Sequence, residues 1–189
     1  MKELEERIVR DGKVYAGDVL KVDGFLNHQM DPALFERMGQ EWRRLFPEAV
    51  TKILTIEASG IGIAAMAGKV FDCPVLFAKK SRTKNIAGSV YTAQVESYTH
   101  GGVYTILCSK EYLKPEDKVL ILDDFLANGN ALLGLLELCR QAGAQVVGAG
   151  VAIEKAYQGG GERVRSQGVR VESLARVRSM DPSEGIVFC

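Results

Sequence analysis

The chain has 189 residues, 47% hydrophobic and 25% charged, a size and balance that suit one folded domain with a full core. Lysine plus arginine equals aspartate plus glutamate at 24 each, so no global basic field is available to hold nucleic acid or an anionic membrane. No apolar run approaches the roughly 20 residues of a spanning helix, and the charged start MKELEERIVRDG reads as a surface helix rather than a signal peptide.

Residues 2–11 have helical character and stop at Gly12, a residue suited to the position beyond a helix end. Asp31-Pro32 is a helix start, with aspartate as cap and proline in the first turn. Leu34, Phe35, Met38, Trp42, Leu45 and Phe46 then follow helical spacing and form a core stripe. From residue 50 the rhythm changes: 50–56 (VTKILTI) reads as a strand, 62–70 as a helix and 74–78 (PVLFA) as a second strand. A polar, turn-rich stretch over 81–102 belongs to a hairpin spanning about 89–107. Residues 119–122 (VLIL) form a buried-type strand, 131–142 a helix closed by Gly143, 145–153 (QVVGAGVAI) another strand and 169–174 one more. Short apolar strands alternating with helices predict an α/β fold, a mostly parallel twisted sheet flanked by helices, with residues 1–189 as a single domain. Cys73, Cys108, Cys139 and Cys189 show neither metal-ligand spacing nor a CxxC pair. Three of them sit beside apolar residues as small hydrophobes, and a reduced, cytoplasmic setting follows. No metal site is expected at His28 or His100.

The chemistry concentrates in residues 119–131, VLILDDFLANGNA. A buried strand delivers Asp123 and Asp124 to its carboxyl end, and Ala127, Asn128, Gly129, Asn130 and Ala131 then turn into a helix. Ligands of open α/β sheets bind at this place. Backbone N–H groups of the small-residue loop can converge on a phosphate, aided by the helix dipole, and Gly129 allows close approach. Like charge keeps the acids off the phosphate itself; they suit the hydroxyls of an attached sugar, or a sugar-bound Mg²⁺. The arrangement describes a site for a phosphorylated ribose. A rival pattern, Gly60-x-Gly62-x-x-Ala65, fits the dinucleotide fingerprint weakly: Glu57, Ala58 and Ser59 separate it from its strand, and Lys79 and Lys80 stand where a ribose-binding acid belongs.

The 119–131 segment resembles the phosphoribosyl-diphosphate motif of the type I phosphoribosyltransferases, and similarity to that family covers nearly the whole chain, including ESLAR at 172–176. The resemblance implies a small hood built from the N-terminal and C-terminal segments, a homodimer, and Mg²⁺ bound mainly through phosphoribosyl diphosphate. It implies catalytic roles for Asp123 and Asp124, a 5-phosphate cradle at residues 127–131, and a diphosphate loop at Glu57, Ala58, Ser59 and Gly60. Lys79 and Lys80 would neutralise the same diphosphate. Lys155 matches a lysine that hydrogen-bonds the 6-oxo group of a purine, and Tyr157 an aromatic that stacks on the base. A protonated lysine donates and cannot accept, so it suits a carbonyl and disfavours the amino group of adenine. The stretch LKVDGFLNHQMDP (20–32) resembles the xanthine-using branch, which implies base contacts from a backbone group at Leu20 and the Asn27 amide. The expected substrates are therefore xanthine and phosphoribosyl diphosphate, with a lid within 81–102 near Tyr91 or Tyr98.

Two departures qualify the match. Ala127 stands where many members carry an acid proposed to move a proton on the purine ring, so base deprotonation has no assigned group. Asn128, Asn130 and Ala131 replace the threonines and glycine usual in the loop, which leaves backbone donors and asparagine amides to carry the cradle. The alternatives are transfer to guanine, hypoxanthine or adenine, or a non-enzymatic purine regulator that senses the diphosphate. A regulator should carry a basic DNA-binding module; the residues before the first sheet strand instead hold an acidic helix and the base-like LNHQ region.

Overall fold

The computed structural model describes residues 1–81, 88–96 and 102–189. The elements run α1 (Lys2–Asp11), β1 (Lys13–Tyr15), β2 (Val19–Lys21), α2 (Pro32–Leu45), β3 (Lys52–Ile56), α3 (Gly60–Phe71) and β4 (Val75–Ala78). They continue β5 (Val90–Glu96), β6 (Val103–Ser109), β7 (Lys118–Leu126), α4 (Asn130–Ala142), β8 (Gln145–Lys155), a 3-10 turn (Ala156–Gln158), α5 (Gly160–Arg165), β9 (Val171–Asp181) and β10 (Gly185–Phe188).

Six strands form one sheet in the order β10-β9-β8-β7-β3-β4. Every pairing in it is parallel except the antiparallel β9–β10 edge, as the alternation of strands and helices predicts. The VLIL run explains how the sheet is covered. Leu120 and Leu122 join a core with Trp42, Phe35, Met38 and Ile63 on the face of α2 and α3. Val119 and Ile121 alternate to the other face and join Leu132, Leu135 and Leu138 of α4 with Val95 and Ile106 of the β5–β6 hairpin. Removing the Trp42 side chain would cost about 3–5 kcal/mol.

The helix signals act as expected, with one change of reason. The Asp31 carboxylate accepts the Leu34 N–H at 3.1 Å, and Pro32 opens α2. Gly12 follows α1 with φ −79, outside the left-handed region; it is needed because a Cβ there would meet the Ile8 carbonyl at 2.4 Å.

Several strands run further than their apolar cores. β7 continues four residues beyond Leu122, through the acid pair, because its ladder with β8 extends to Phe125↔Ile153 and Leu126↔Glu154. Pairing overrides the poor strand propensity of aspartate. β8 takes in Glu154 and Lys155, and β9 runs to Asp181 because β10 pairs along it. The N-terminal hood hairpin, β1–β2, pairs Val14 with Leu20. The predicted 89–107 hairpin is β5–β6, and it hooks onto the main sheet through reciprocal Lys79–Leu107 backbone bonds of 2.9 Å. The lid expected within 81–102 falls in part on 82–87 and 97–101, Tyr98 included, outside the described residues. Tyr91 lies in β5, with the Lys110 ammonium 5.0 Å from its ring centroid. Cys108 and Cys139 are buried and free, and burial pushes both thiols up to about 12. Among the described residues no helix is long and apolar enough to cross a membrane.

Candidate active site

Parallel pairing brings the carboxyl ends of β3, β7 and β8 to one edge of the sheet, and the expected site residues gather there. Asp123 is buried, and its Oδ1 accepts the Asp124 N–H at 3.0 Å. Burial pushes its pKa well above the ordinary value of 3.8; the neighbouring Asp124 charge raises it further, and Lys80 opposes. Lys80 lies with its ammonium 5.3 Å from the Tyr104 ring centroid. The Tyr104 phenol is raised by burial and then by Asp123, which places this β6 residue beside the acids. Gly60 seals the floor: a Cβ on it would stand 2.1 Å from Thr55 Oγ1 and 3.0 Å from Asp123 Oδ1. Thr55 Oγ1 is itself buried without a hydrogen-bond partner among the described residues.

The diphosphate-loop candidates occupy the turn from β3 into α3. Glu57 turns its carboxylate to the Lys80 N–H, which ties this loop to the end of β4. The Glu57–Ala58 peptide is cis. Ser59 heads α3 without spending its hydroxyl on the helix cap, and Gly60 is the first helical residue rather than part of an open loop. Lys79 is less directly placed: its backbone serves the β6 bridge and its ammonium stands 5.8 Å from the Phe77 ring centroid.

The candidate cradle at residues 127–131 is held from outside. Gly129, at φ 86, turns the chain into α4. The Ala127 carbonyl accepts the Gly160 N–H at 3.1 Å. A Cβ on Gly160 would lie 2.2 Å from that oxygen and 2.5 Å from Gly129 N, so the two backbones touch. Arg163 Nη1 donates to the Asn128 carbonyl at 2.7 Å and to Asn130 Oδ1 at 3.0 Å. Asn130 Nδ2 donates to the Glu96 carbonyl at 3.3 Å, and Asn128 Oδ1 accepts the Asn130 N–H at 3.2 Å. The Asn130 amide, expected to face a phosphate, thus serves the hairpin in this structure. Sequence reasoning missed Arg163, although a basic residue shortly after Lys155-Tyr157 was its available signal. Ala131 lies in the first turn of α4.

The base-side candidates meet the hood. Lys155 ends β8, and its ammonium donates to the Asp18 carbonyl and stands 5.9 Å from the Phe125 ring centroid. Burial lowers its pKa below the ordinary lysine value, and Asp18 opposes that. Tyr157 Oη donates to Asp18 Oδ1 and Gln158 Nε2 to Asp18 Oδ2, each at 3.4 Å. Leu20 is buried in β2, and the exposed Asn27 donates through Nδ2 to Asp124 Oδ2 at 3.3 Å. The hood therefore reaches both the acid pair and Lys155. Asp18 had no signal in the sequence beyond following a glycine.

Glu154 faces a different environment one residue earlier. It is buried, with Oε1 and Oε2 each 3.2 Å from Arg165, Oε2 3.0 Å from Arg176 Nε, and the Ser173 hydroxyl donating to it. Burial pushes its pKa up, but Arg165, Ser173 and Arg176 together hold it below the usual glutamate value.

The profile of the phosphoribosyl transferase domain matches residues 27–174, from the hood through the acid pair to β9. This chain belongs to the phosphoribosyltransferase family. A xanthine phosphoribosyltransferase of Lachnoclostridium phytofermentans is 54% identical over 188 residues, covering 99% of this chain and 97% of the relative. One from Bifidobacterium adolescentis is 54% identical over 189 residues, covering 99% and 98%. Among solved structures, adenine phosphoribosyltransferase of Trypanosoma brucei in complex with AMP, pyrophosphate and ribose-5-phosphate aligns at TM-score 0.76. Its identity is 16%, over 92% of this chain and 79% of that one. That of Rhodothermus marinus aligns at 0.75 with 20% identity, over 93% and 99%. At those identities the likeness concerns the fold, and it is the type I phosphoribosyltransferase fold. The glycines of the rival dinucleotide pattern have packing roles within it: Gly60 against Thr55, and Gly62 against Met30 and Phe35.

Proposed function

We infer that this phosphoribosyltransferase moves the 5-phosphoribosyl group from phosphoribosyl diphosphate to N9 of xanthine, giving XMP and diphosphate in purine salvage. The observation that carries the reading is full-length: 54% identity over 188 residues to a xanthine phosphoribosyltransferase, in a chain whose acid pair, Gly129 turn and Lys155 share one sheet edge.

In the transfer the bond from C1′ to the diphosphate oxygen breaks, the C1′–N9 bond forms, and the N9 proton passes to water or to the departing diphosphate. Departure builds positive charge on the ribose and negative charge on the diphosphate. Asp123 and Asp124 hold the ribose hydroxyls and favour the developing cation. The backbone of Glu57, Ala58, Ser59 and Gly60, with Lys79 and Lys80, receives the diphosphate. Residues 127–131 receive the 5-phosphate, with Arg163 supplying a cation that the loop lacks. Lys155 donates to the 6-oxo group, Tyr157 stacks on the base, and Leu20 and Asn27 contact it from the hood. The chain works as one domain over residues 1–189, in a cytoplasmic homodimer. Two adjacent carboxylates provide the hard oxygen donors that Mg²⁺ prefers. Asp123 and Asp124 would help to hold the ion, which would be bound mainly through phosphoribosyl diphosphate, and it would supply positive charge to the leaving group.

The test offers xanthine, guanine, hypoxanthine and adenine separately with phosphoribosyl diphosphate and Mg²⁺. Xanthine should give the highest kcat/KM. Comparable values for hypoxanthine would remove the base assignment, and no diphosphate release with any base would remove the enzyme.

A further inference from the structure

Asp18 stands at the turn between β1 and β2, where Gly17 (φ 82) and Asp18 (φ 61) both take positive φ. That backbone aims the Asp18 carbonyl at the Lys155 ammonium and its carboxylate at the Tyr157 hydroxyl and the Gln158 amide. All three donors come from the β8 end and the 3-10 turn, where the purine is read in the function inferred above. We propose that Asp18 is a positioning residue for base specificity: its carbonyl receives the Lys155 ammonium, and its carboxylate, held by Tyr157 and Gln158, keeps a negative charge near that ammonium as it faces the 6-oxo group of the base. The proposal rests on that inferred function.

The physical reason lies in what a lysine can offer. As an ammonium it has three donors and no acceptor, so it complements a 6-oxo group and rejects a 6-amino group. As a neutral amine it gains a lone pair and accepts from a 6-amino group. Discrimination between the two purine classes therefore depends on Lys155 keeping its proton. Burial works against this, and the Phe125 ring beside the ammonium supplies no countercharge. Among the described residues, these elements face Lys155. The β1–β2 turn brings Asp18, the 3-10 turn brings Tyr157, and β9 places Val177 opposite it. Glu154, the preceding residue of β8, is committed to Arg165 and Arg176. Asp18 thus supplies a negative charge that opposes desolvation of Lys155.

Asp18→Asn and Asp18→Ala test this, with kcat/KM for xanthine and for adenine measured against pH beside the unchanged enzyme. Asparagine keeps the carbonyl contact and the side-chain shape but removes the charge. Its alkaline limb for xanthine should move down by about half a pH unit or more. The xanthine-over-adenine ratio should fall at the alkaline end, while KM for phosphoribosyl diphosphate stays within about twofold. Ionisation of xanthine itself is common to all the proteins, so the difference between profiles reports the enzyme. An unchanged limb and ratio in Asp18→Asn would overturn the proposal, and so would equal losses in both substrates. A second readout needs no turnover: the Lys155 resonance of reductively ¹³C-methylated protein should titrate at lower pH in Asp18→Asn, and coincident titrations would overturn the assignment. Wild-type protein that uses no purine would instead sink the transferase reading, a result visible before any variant is compared.

Discussion

Asp123 and Glu154 are buried carboxylates at the carboxyl ends of adjacent strands, and the protein treats them in opposite ways. Glu154 faces two guanidinium groups and the Ser173 hydroxyl, so its charge is fully met within the chain. Asp123 has the Asp124 N–H, a second carboxylate beside it and, among the described residues, Lys80 as an opposing charge. Burial penalises both anions; the partners outweigh it at Glu154 and fail to at Asp123. The Glu154 site is therefore complete in the free protein, whereas the buried charge at Asp123 is not, which suits the ribose-binding role proposed for the acid pair. A buried charge left unmet in the free state is a common mark of a functional site, in keeping with the role proposed for Asp123 and Asp124.

The sharpest way to break that contrast is to neutralise each acid in turn. Asp123→Asn should lower kcat/KM by about 10²–10³-fold while raising the melting temperature, because the isostere removes a charge that the fold does not satisfy. Loss of stability in this variant would show that Asp123 is structural. Glu154→Gln should do the reverse to the fold, costing about 3 kcal/mol in chemical denaturation because Arg165 and Arg176 lose their shared anion. Unchanged stability would put Glu154 outside the framework of the site.

The same contrast fixes the sign of a pH effect. Asp123 has a raised folded pKa, so the native state holds its proton over a range where the unfolded chain has lost it. Stability from this group is intact below the ordinary value of 3.8 and is lost as pH rises from there through the folded pKa. Glu154 has a lowered folded pKa, so its contribution is present above the ordinary value of 4.5 and disappears as pH falls through the folded one. Stability of Asp123→Asn measured against pH should therefore diverge upward from wild type with rising pH, and parallel curves would remove the claim of a raised pKa.

The sequence made the β7 end readable because its signal is local. An apolar strand, two acids and a small-residue turn are contiguous, and the parallel sheet predicted from the alternation brings Lys155 alongside. What stayed hidden was assembled across the chain. Asp18 meets Lys155 over 137 positions, Asn27 meets Asp124 over 97, and Arg163 meets Asn130 over 33. Such contacts follow from how the hood and α5 dock, which periodicity does not encode. The lengths of β7, β8 and β9 were hidden for a related reason: partner strands, rather than their own propensities, carry Asp123, Lys155 and Arg176 in extended form. Gly160 could be read only as a turn residue, although its lack of a side chain is what lets the cradle be clamped.

The smallest expected effect separates holding the cradle from doing the chemistry. Residues 127–131 contain no basic side chain, and Arg163 reaches them from α5 through the Asn128 carbonyl and the Asn130 side chain. Those are surface contacts, so their loss should cost about 1 kcal/mol rather than the several attached to the acids. Arg163→Ala should then raise KM for phosphoribosyl diphosphate by about three- to tenfold with kcat and KM for the base nearly unchanged. Arg163→Lys should recover only part of the loss, because a single ammonium keeps the charge but not the planar fork that spans two acceptors. A fall in kcat without a change in KM would move Arg163 into the reacting centre and extend the unfinished region of the site from β7 into α5.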